Sequence, residues 1–227
     1  TISILLITIL LIAGIIKACS SSGLQLILET AGSRLKTDAY GHTNFLLLGT
    51  GGKEHDGADL TDTIIVASLD PESKLVTLIS IPRDLYIQDQ TVGNSKINEV
   101  YHYAKLHFGD SRKGLDHFKS KVETLTGIPI HYWAKVNFSG FKDLIDALGG
   151  VDIYVDEAIY DPFYPKDGTI LFEPFSISAG QHHLDGETAL KYARSRKTTS
   201  DFDRANRQQK IIYAIKEKAL NANVLLN

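Results

Sequence analysis

Sixteen residues at the start of the chain, Thr1 to Ile16, carry no charge and are mostly isoleucine and leucine. A helix needs about 20 such residues to cross a bilayer. The run therefore predicts the outer part of one transmembrane helix, placed over residues 1–18. A buried core helix or the apolar part of a signal peptide would have the same composition. Lys17 is the only flanking cation and leaves the span unoriented. Residues 19–43 are polar at their ends with a short apolar stretch between, which predicts a juxtamembrane connector. A globular domain is expected over residues 44–227.

Inside that domain short β-rich runs alternate with amphipathic ones. Asn44 to Leu48, Thr63 to Leu69 and Lys74 to Ile81 predict strands, the first closed by Gly49 and the third by Pro82. Asp70-Pro71-Glu72-Ser73 predicts the turn of an antiparallel hairpin. Lys96 to Phe108 and Leu115 to Leu125 predict helices, and Ile130 to Phe138 a strand. Ser139 reads as the cap of a helix closed by Gly149-Gly150. Val151 to Val155 predicts another strand. Tyr160 to Glu173, with Pro162, Pro165 and Pro174 in or beside it, predicts a long irregular loop. Asp185 caps a helix to about Arg194, and Asp203 opens the last one, to about Leu220. Interleaved strands and helices predict a layered α/β domain.

Composition narrows the picture. The chain has 227 residues, 43% hydrophobic and 22% charged, enough for one large α/β domain with a real core. A net charge of -3 gives no global attraction for nucleic acid, so any anion site must come from a local cluster of cations. Cys19 is the only cysteine, which excludes an internal disulfide and a cysteine-based metal site. There is no methionine, and the chain stops on an apolar run; it reads as a piece whose ends are missing.

Two clusters suggest chemistry. If residues 70 to 73 form the hairpin loop, Leu69 faces Lys74 and Asp62 comes opposite Ile81, with Arg83 its diagonal neighbour on the same face. A carboxylate beside an arginine at a strand end is the minimal pair for holding Mg²⁺ and a phosphate together. A simple structural ion pair is the alternative. The second cluster runs through Arg194, Arg196, Lys197, Arg204 and Arg207. Arg204 and Gln208 share a helix face, and Arg204 sits in a first turn, where the helix dipole disfavours a cation unless an anion offsets it. Arginine suits two-point binding of phosphate oxygens. The alternative is a solvated basic face moderated by Asp201 and Asp203. Gly49-Thr50-Gly51-Gly52-Lys53 lacks the spacing of a nucleotide phosphate loop, and the histidines show no zinc spacing.

Many short blocks in order resemble the LytR-CpsA-Psr family of cell-wall glycopolymer ligases, over about residues 44 to 215. They include Leu46-Leu47-Leu48-Gly49, Thr61-Asp62-Thr63, Ser80-Ile81-Pro82-Arg83-Asp84, Lys96-Ile97-Asn98 and Gly127-Ile128-Pro129-Ile130. They continue through Val136-Asn137-Phe138, Asp146-Ala147-Leu148-Gly149-Gly150-Val151 and Leu184-Asp185-Gly186, and close with Tyr192-Ala193-Arg194-Ser195-Arg196, Asp201-Phe202-Asp203-Arg204 and Arg207-Gln208-Gln209. The resemblance implies a three-layer α/β/α domain with a mixed central sheet, behind one transmembrane helix and outside the cytoplasmic membrane. It implies a phosphotransferase that moves a polyprenyl-pyrophosphate-linked glycopolymer onto a peptidoglycan hydroxyl, with Mg²⁺ as cofactor and no nucleic-acid partner. By position it makes Asp62, Arg83 and Arg194 catalytic. Arg83, Lys96, Arg194, Arg196, Arg204, Arg207 and Gln208 would bind the pyrophosphate, and Asp62 the metal. A second acid that the family commonly carries falls on Gly51 here, which implies either a weaker metal site or its replacement by Asp56 or Asp59 of the same loop. Two other activities fit the same residues: hydrolysis of the lipid pyrophosphate by water, and non-catalytic binding of the lipid-linked polymer in a regulatory role. Asp62, Asp84 and Asp201 are the candidate bases.

Overall fold

The structure is a computed structural model that describes residues 35–53, 55, 57–73, 75–166, 169, 171–195 and 200–221. The predicted anchor and most of the connector lie outside the described residues. Among the described residues no helix is long and apolar enough to cross a membrane. The chain divides into two compact units, one over Arg34–Asn137 and one from Phe138 onward.

In the first unit the apolar run of β1 (Thr43–Thr50) forms a central strand. It pairs antiparallel with β2 (Thr61–Leu69), Leu46 against Val66 and Leu48 against Ile64. On its other side β6 (Tyr132–Asn137) runs parallel, Leu48 against Lys135. β3 (Val76–Ser80) extends the sheet antiparallel to β2, giving a mixed sheet of order β3-β2-β1-β6. Alternation then puts Leu46, Leu48, Ile64 and Val66 on one face. They pack on Ile97, Val100 and Tyr101 of α1 (Ile97–Phe108) and on Leu115, Phe118 and Val122 of α2 (Ser111–Thr126). Burying each such side chain contributes roughly 1.5–3 kcal/mol.

α2 begins four residues before the expected Leu115. Asp110 accepts a hydrogen bond from Lys113 N at 2.7 Å, a side-chain cap that starts the helix in a polar stretch where apolar periodicity gives no signal. Between β4 (Tyr86–Ile87) and β5 (Ser95–Lys96) the chain forms a strap around Asp89, whose side chain is fully buried. Asp89 Oδ1 accepts from Thr91 N at 2.8 Å and Val92 N at 3.3 Å. Its Oδ2 lies 2.7 Å from Nε2 of His117, and Lys121 Nζ is 3.4 Å from Oδ1. Those two side chains stand one turn apart on α2, so one carboxylate ties the strap to the helix.

The second unit opens with α3 (Phe138–Ala147), which starts at Phe138 and so places Ser139 inside the helix instead of at its cap. β7 (Val151–Val155) buries Val151, Ile153 and Val155 and exposes the residues between them. It pairs antiparallel with β10 (Gly180–Leu184), Val151 against Leu184. The expected irregular loop is instead a β-hairpin, β8 (Ile159–Pro165) with β9 (Phe172–Ile177). Prolines signal a loop because they cannot donate to a ladder. In a two-stranded ribbon each strand has a free edge, and a bulge between Asp161 and Tyr164 takes up Pro162. α4 (Gly186–Arg194) is capped as expected by Asp185, which accepts from Thr188 N at 2.8 Å. Gly186 must be a glycine: a Cβ there would lie 2.7 Å from the Lys142 Cα of α3. α5 (Asp201–Asn221) starts two residues before Asp203. Asp203 closes a capping box instead: its Oδ2 accepts from Ser200 N at 2.7 Å while Ser200 Oγ accepts from Asp203 N at 3.2 Å. Leu144, Ile145, Ile153, Tyr164, Tyr192 and Ile211 belong to this unit's core.

Candidate functional site

The β2–β3 connection is longer than the Asp-Pro-Glu-Ser turn. Asp70 folds it by accepting from Glu72 N at 2.9 Å and from Ser73 Oγ at 2.6 Å, and Asp70 N donates to Leu75 O at 3.0 Å. The ladder therefore opens with Leu69 against Val76, two residues later than expected. An even displacement keeps every side chain on its expected face. It also moves Arg83 from diagonal to directly across from Asp62, because Ile81 N donates to Ile64 O at 2.9 Å and carries the same register past the last ladder pair. Arg83 Nη1 donates to Asp62 Oδ1 at 2.5 Å, with side chains 21% and 37% exposed. That exposure leaves the pair half open to a ligand.

Around it the charges alternate. Arg83 Nε is buried without a hydrogen bond, 3.4 Å from Asp84 Oδ2. Asp84 Oδ1 accepts from Lys96 Nζ at 2.6 Å, so Lys96 is joined to this edge through Asp84. The backbone beneath is held by the start of α1: Ile97 N donates to Leu85 O at 2.7 Å and Asn98 N to Arg83 O at 3.3 Å.

The loop between β1 and β2 differs from the expectation for a metal site. A Cβ on Gly51 would fall 2.8 Å from Cβ of His55, so an aspartate there would force the loop to move. Asp59 is paired with Lys105, Oδ2 to Nζ 2.6 Å. Asp56 lies outside the described residues, and among the described residues no three metal-binding side chains cluster. Asp62 remains. One carboxylate together with substrate phosphate oxygens and water is an ordinary mode of holding Mg²⁺, so the residues present fit the ion in that mode.

In the second unit Arg194 ends α4, where the helix dipole favours a cation. Its Nη1 donates to Tyr164 Oη at 2.9 Å, and its guanidinium carbon stands 3.9 Å from the Phe138 ring centroid. The aromatic face and the tyrosine hydroxyl together orient this half-exposed cation. Tyr164 and Phe138 gave no signal in the sequence, because only the fold brings them to Arg194. Arg204 is half-buried in the first turn of α5, and Gln208 is half-buried one turn on. Arg207 is placed differently from its expected role: it is 5% exposed, with Nε donating to Tyr192 O at 2.9 Å and Nη2 to Ser195 O. Arg196 lies outside the described residues, and Asp201 is described by its backbone alone.

Residues 21–227 match the LytR_cpsA_psr family. The chain belongs to that family. TagV of Bacillus subtilis (strain 168), named a polyisoprenyl-teichoic acid–peptidoglycan teichoic acid transferase, is 36% identical over 168 residues, covering 72% of this chain and 40% of TagV. The cell wall biosynthesis protein LcpA of Corynebacterium glutamicum is 31% identical over 219 residues, covering 86% of this chain and 40% of LcpA. The chain thus spans less than half the length of either relative. Among solved structures, B. subtilis TagV aligns with a TM-score of 0.62 at 32% identity, over 80% of this chain and 66% of that one. TagT with bound octaprenyl pyrophosphate lipid aligns at 0.57 and 26% identity, over 83% of this chain and 70% of that one.

Proposed function

We propose that this member of the family is a phosphotransferase that moves a glycopolymer from a polyprenyl pyrophosphate to a peptidoglycan hydroxyl. It would act as a three-layer α/β/α domain held outside the cell membrane by a single helix at residues 1–18. The observation that carries the reading is the half-open Asp62–Arg83 pair at a strand end, in a chain similar to TagT with its bound octaprenyl pyrophosphate. The acceptor oxygen attacks the phosphorus that bears the polymer, and the bond from that phosphorus to the bridging oxygen breaks. Polyprenyl phosphate leaves without needing a proton, and the acceptor's proton passes to a carboxylate or to solvent. Arg83, Arg194 and Arg204 offset the charge gathering on the phosphate oxygens, and positioning supplies most of the rest. Mg²⁺, held by Asp62, would add a further positive charge at the pyrophosphate.

The test is a titration of a short-chain polyprenyl pyrophosphate against wild type, Arg204→Ala and Arg204→Lys, with Mg²⁺ and with EDTA. A charged hydrogen bond is worth roughly 1.5–3 kcal/mol, so Arg204→Ala is expected to weaken binding about ten-fold or more. Lysine rescues only partly, since it lacks the planar two-point contact. Equal affinity in all three proteins would remove Arg204 from the site. Product analysis with and without peptidoglycan then separates transfer from hydrolysis: polymer released equally in both would make the chain a hydrolase.

A further inference from the structure

Alternation along β8 should bury every second residue. Ile159 and Asp161 do point inward, at 6% and 2% exposure. Continued, the pattern would bury Phe163 and expose Tyr164. The structure does the reverse, with Phe163 53% exposed and Tyr164 2%. The bulge between Asp161 and Tyr164 makes the exchange. Asp161 holds that bulge, because Phe163 N donates to its Oδ1 at 3.2 Å. The same exchange delivers the Tyr164 hydroxyl to Arg194.

The other carboxylate oxygen of Asp161 turns to the end of α4. Ser195 Oγ, in a residue 1% exposed, donates to Asp161 Oδ2 at 3.0 Å. α4 ends there without a left-handed glycine; Ser195 leaves the helix at φ -55 and ψ 137. The last turn of a helix ends in carbonyls with no partner in the helix. Arg207 takes up Tyr192 O from that turn and Ser195 O just beyond it, placing a buried cation at the negative end of the helix dipole. Burial pulls Arg207 below the usual arginine value, and the charges of Asp203 and Asp161 oppose that pull. A buried carboxylate, hydroxyl and guanidinium thus meet on the residue that follows Arg194.

We propose that Asp161, Ser195 and Arg207 are positioning residues for Arg194: a buried bracket that fixes the end of α4 and the β8 bulge together, so that the Arg194 guanidinium is presented to the pyrophosphate in one orientation. This rests on the reading of Arg194 as a pyrophosphate ligand. Arg207 then serves the anion through Arg194 and never touches it.

Ser195→Ala removes one hydrogen bond and little volume, so the chain keeps its fold. Short-chain polyprenyl pyrophosphate is expected to bind it about five-fold more weakly than wild type. In an Arg194→Ala background the same substitution should cost nothing further, because its effect passes through Arg194. A merely structural serine would cost the same in both backgrounds, and that additivity would overturn the bracket. Tyr164→Phe should behave like Ser195→Ala. The second readout needs no substrate: the Arg194 Nε–H resonance of the full chain, assigned with Arg194→Lys, should shift and broaden in Ser195→Ala and in Tyr164→Phe. Wild type that binds no lipid pyrophosphate would sink the functional reading. An Arg194 resonance unmoved in Ser195→Ala would sink the bracket, whatever Tyr164→Phe does.

Discussion

Arg83→Ala is expected to slow polymer transfer by about a hundred-fold or more, the usual loss when one preorganised donor to a developing anion is removed. The substitution acts twice. It deletes the guanidinium and leaves Asp62 without the Nη1–H that now meets its Oδ1 at 2.5 Å. An unbalanced carboxylate then faces the incoming pyrophosphate. Asp62→Asn in the Arg83→Ala background should therefore recover some binding in EDTA, where the repulsion is all that matters, and none of the Mg²⁺ response. Arg83→Lys should keep the charge but lose the planar contact, recovering only part of the rate. Steady-state transfer measured for the three proteins checks this. A rate for Arg83→Ala within about three-fold of wild type, far short of that usual loss, would leave the Asp62–Arg83 pair a structural one.

The largest expected loss of stability lies away from this edge, at Asp89. Alanine there strands the N–H groups of Thr91 and Val92 and leaves His117 and Lys121 without their carboxylate. Breaking a buried pair of this kind costs about 3–5 kcal/mol. For a cooperative unit of about 100 residues, the size of the one over Arg34–Asn137, that lowers its melting temperature by roughly 12–40 °C. The loss should depend on pH in one direction. Burial works to raise the Asp89 carboxyl, but the hydrogen bond from His117 and those from Thr91 and Val92 outweigh it and hold the group below the usual carboxylate value. A depressed folded value means that the contribution is complete above the unfolded value, about 4, and fades as pH falls through the folded one. Denaturant midpoints for wild type and Asp89→Ala should accordingly differ most near pH 7 and converge toward pH 3. A gap of equal size at both would show that the charge on Asp89 contributes nothing.

Much of this was legible in the sequence where a local rule decides. Asp185 caps α4 because a short acceptor before a helix has one good partner, and the strand at Val151 shows its alternation plainly. The meeting of Asp62 with Arg83 was legible too, although the turn length was not. Asp70 gathers its turn with side-chain hydrogen bonds that no pattern of apolar residues records, and the pairing survives because the displacement is even. Legibility ended where the decisive partner is remote in the chain. Arg207 carries the same letter as Arg204 three residues earlier, and nothing nearby distinguishes them. Only the end of α4, with its open carbonyls, makes Arg207 a buried brace. Likewise the prolines of β8 and β9 read as a loop until the free edges of a two-stranded ribbon give them a place.

Each unit carries its own buried core, Leu46 to Ile130 in one and Leu144 to Ile215 in the other, with no residue in common. Native proteins open in cooperative blocks of about this kind. Amide exchange in β1 and β2 then reports one block, and exchange in β7 and α5 another. Loosening the strap at Asp89 would shorten protection times around Ile64 and Val66 while those around Ile153 and Ile211 keep a clock of their own. Arg83 therefore follows the first block under heat or denaturant, and Arg194 and Arg204 follow the second.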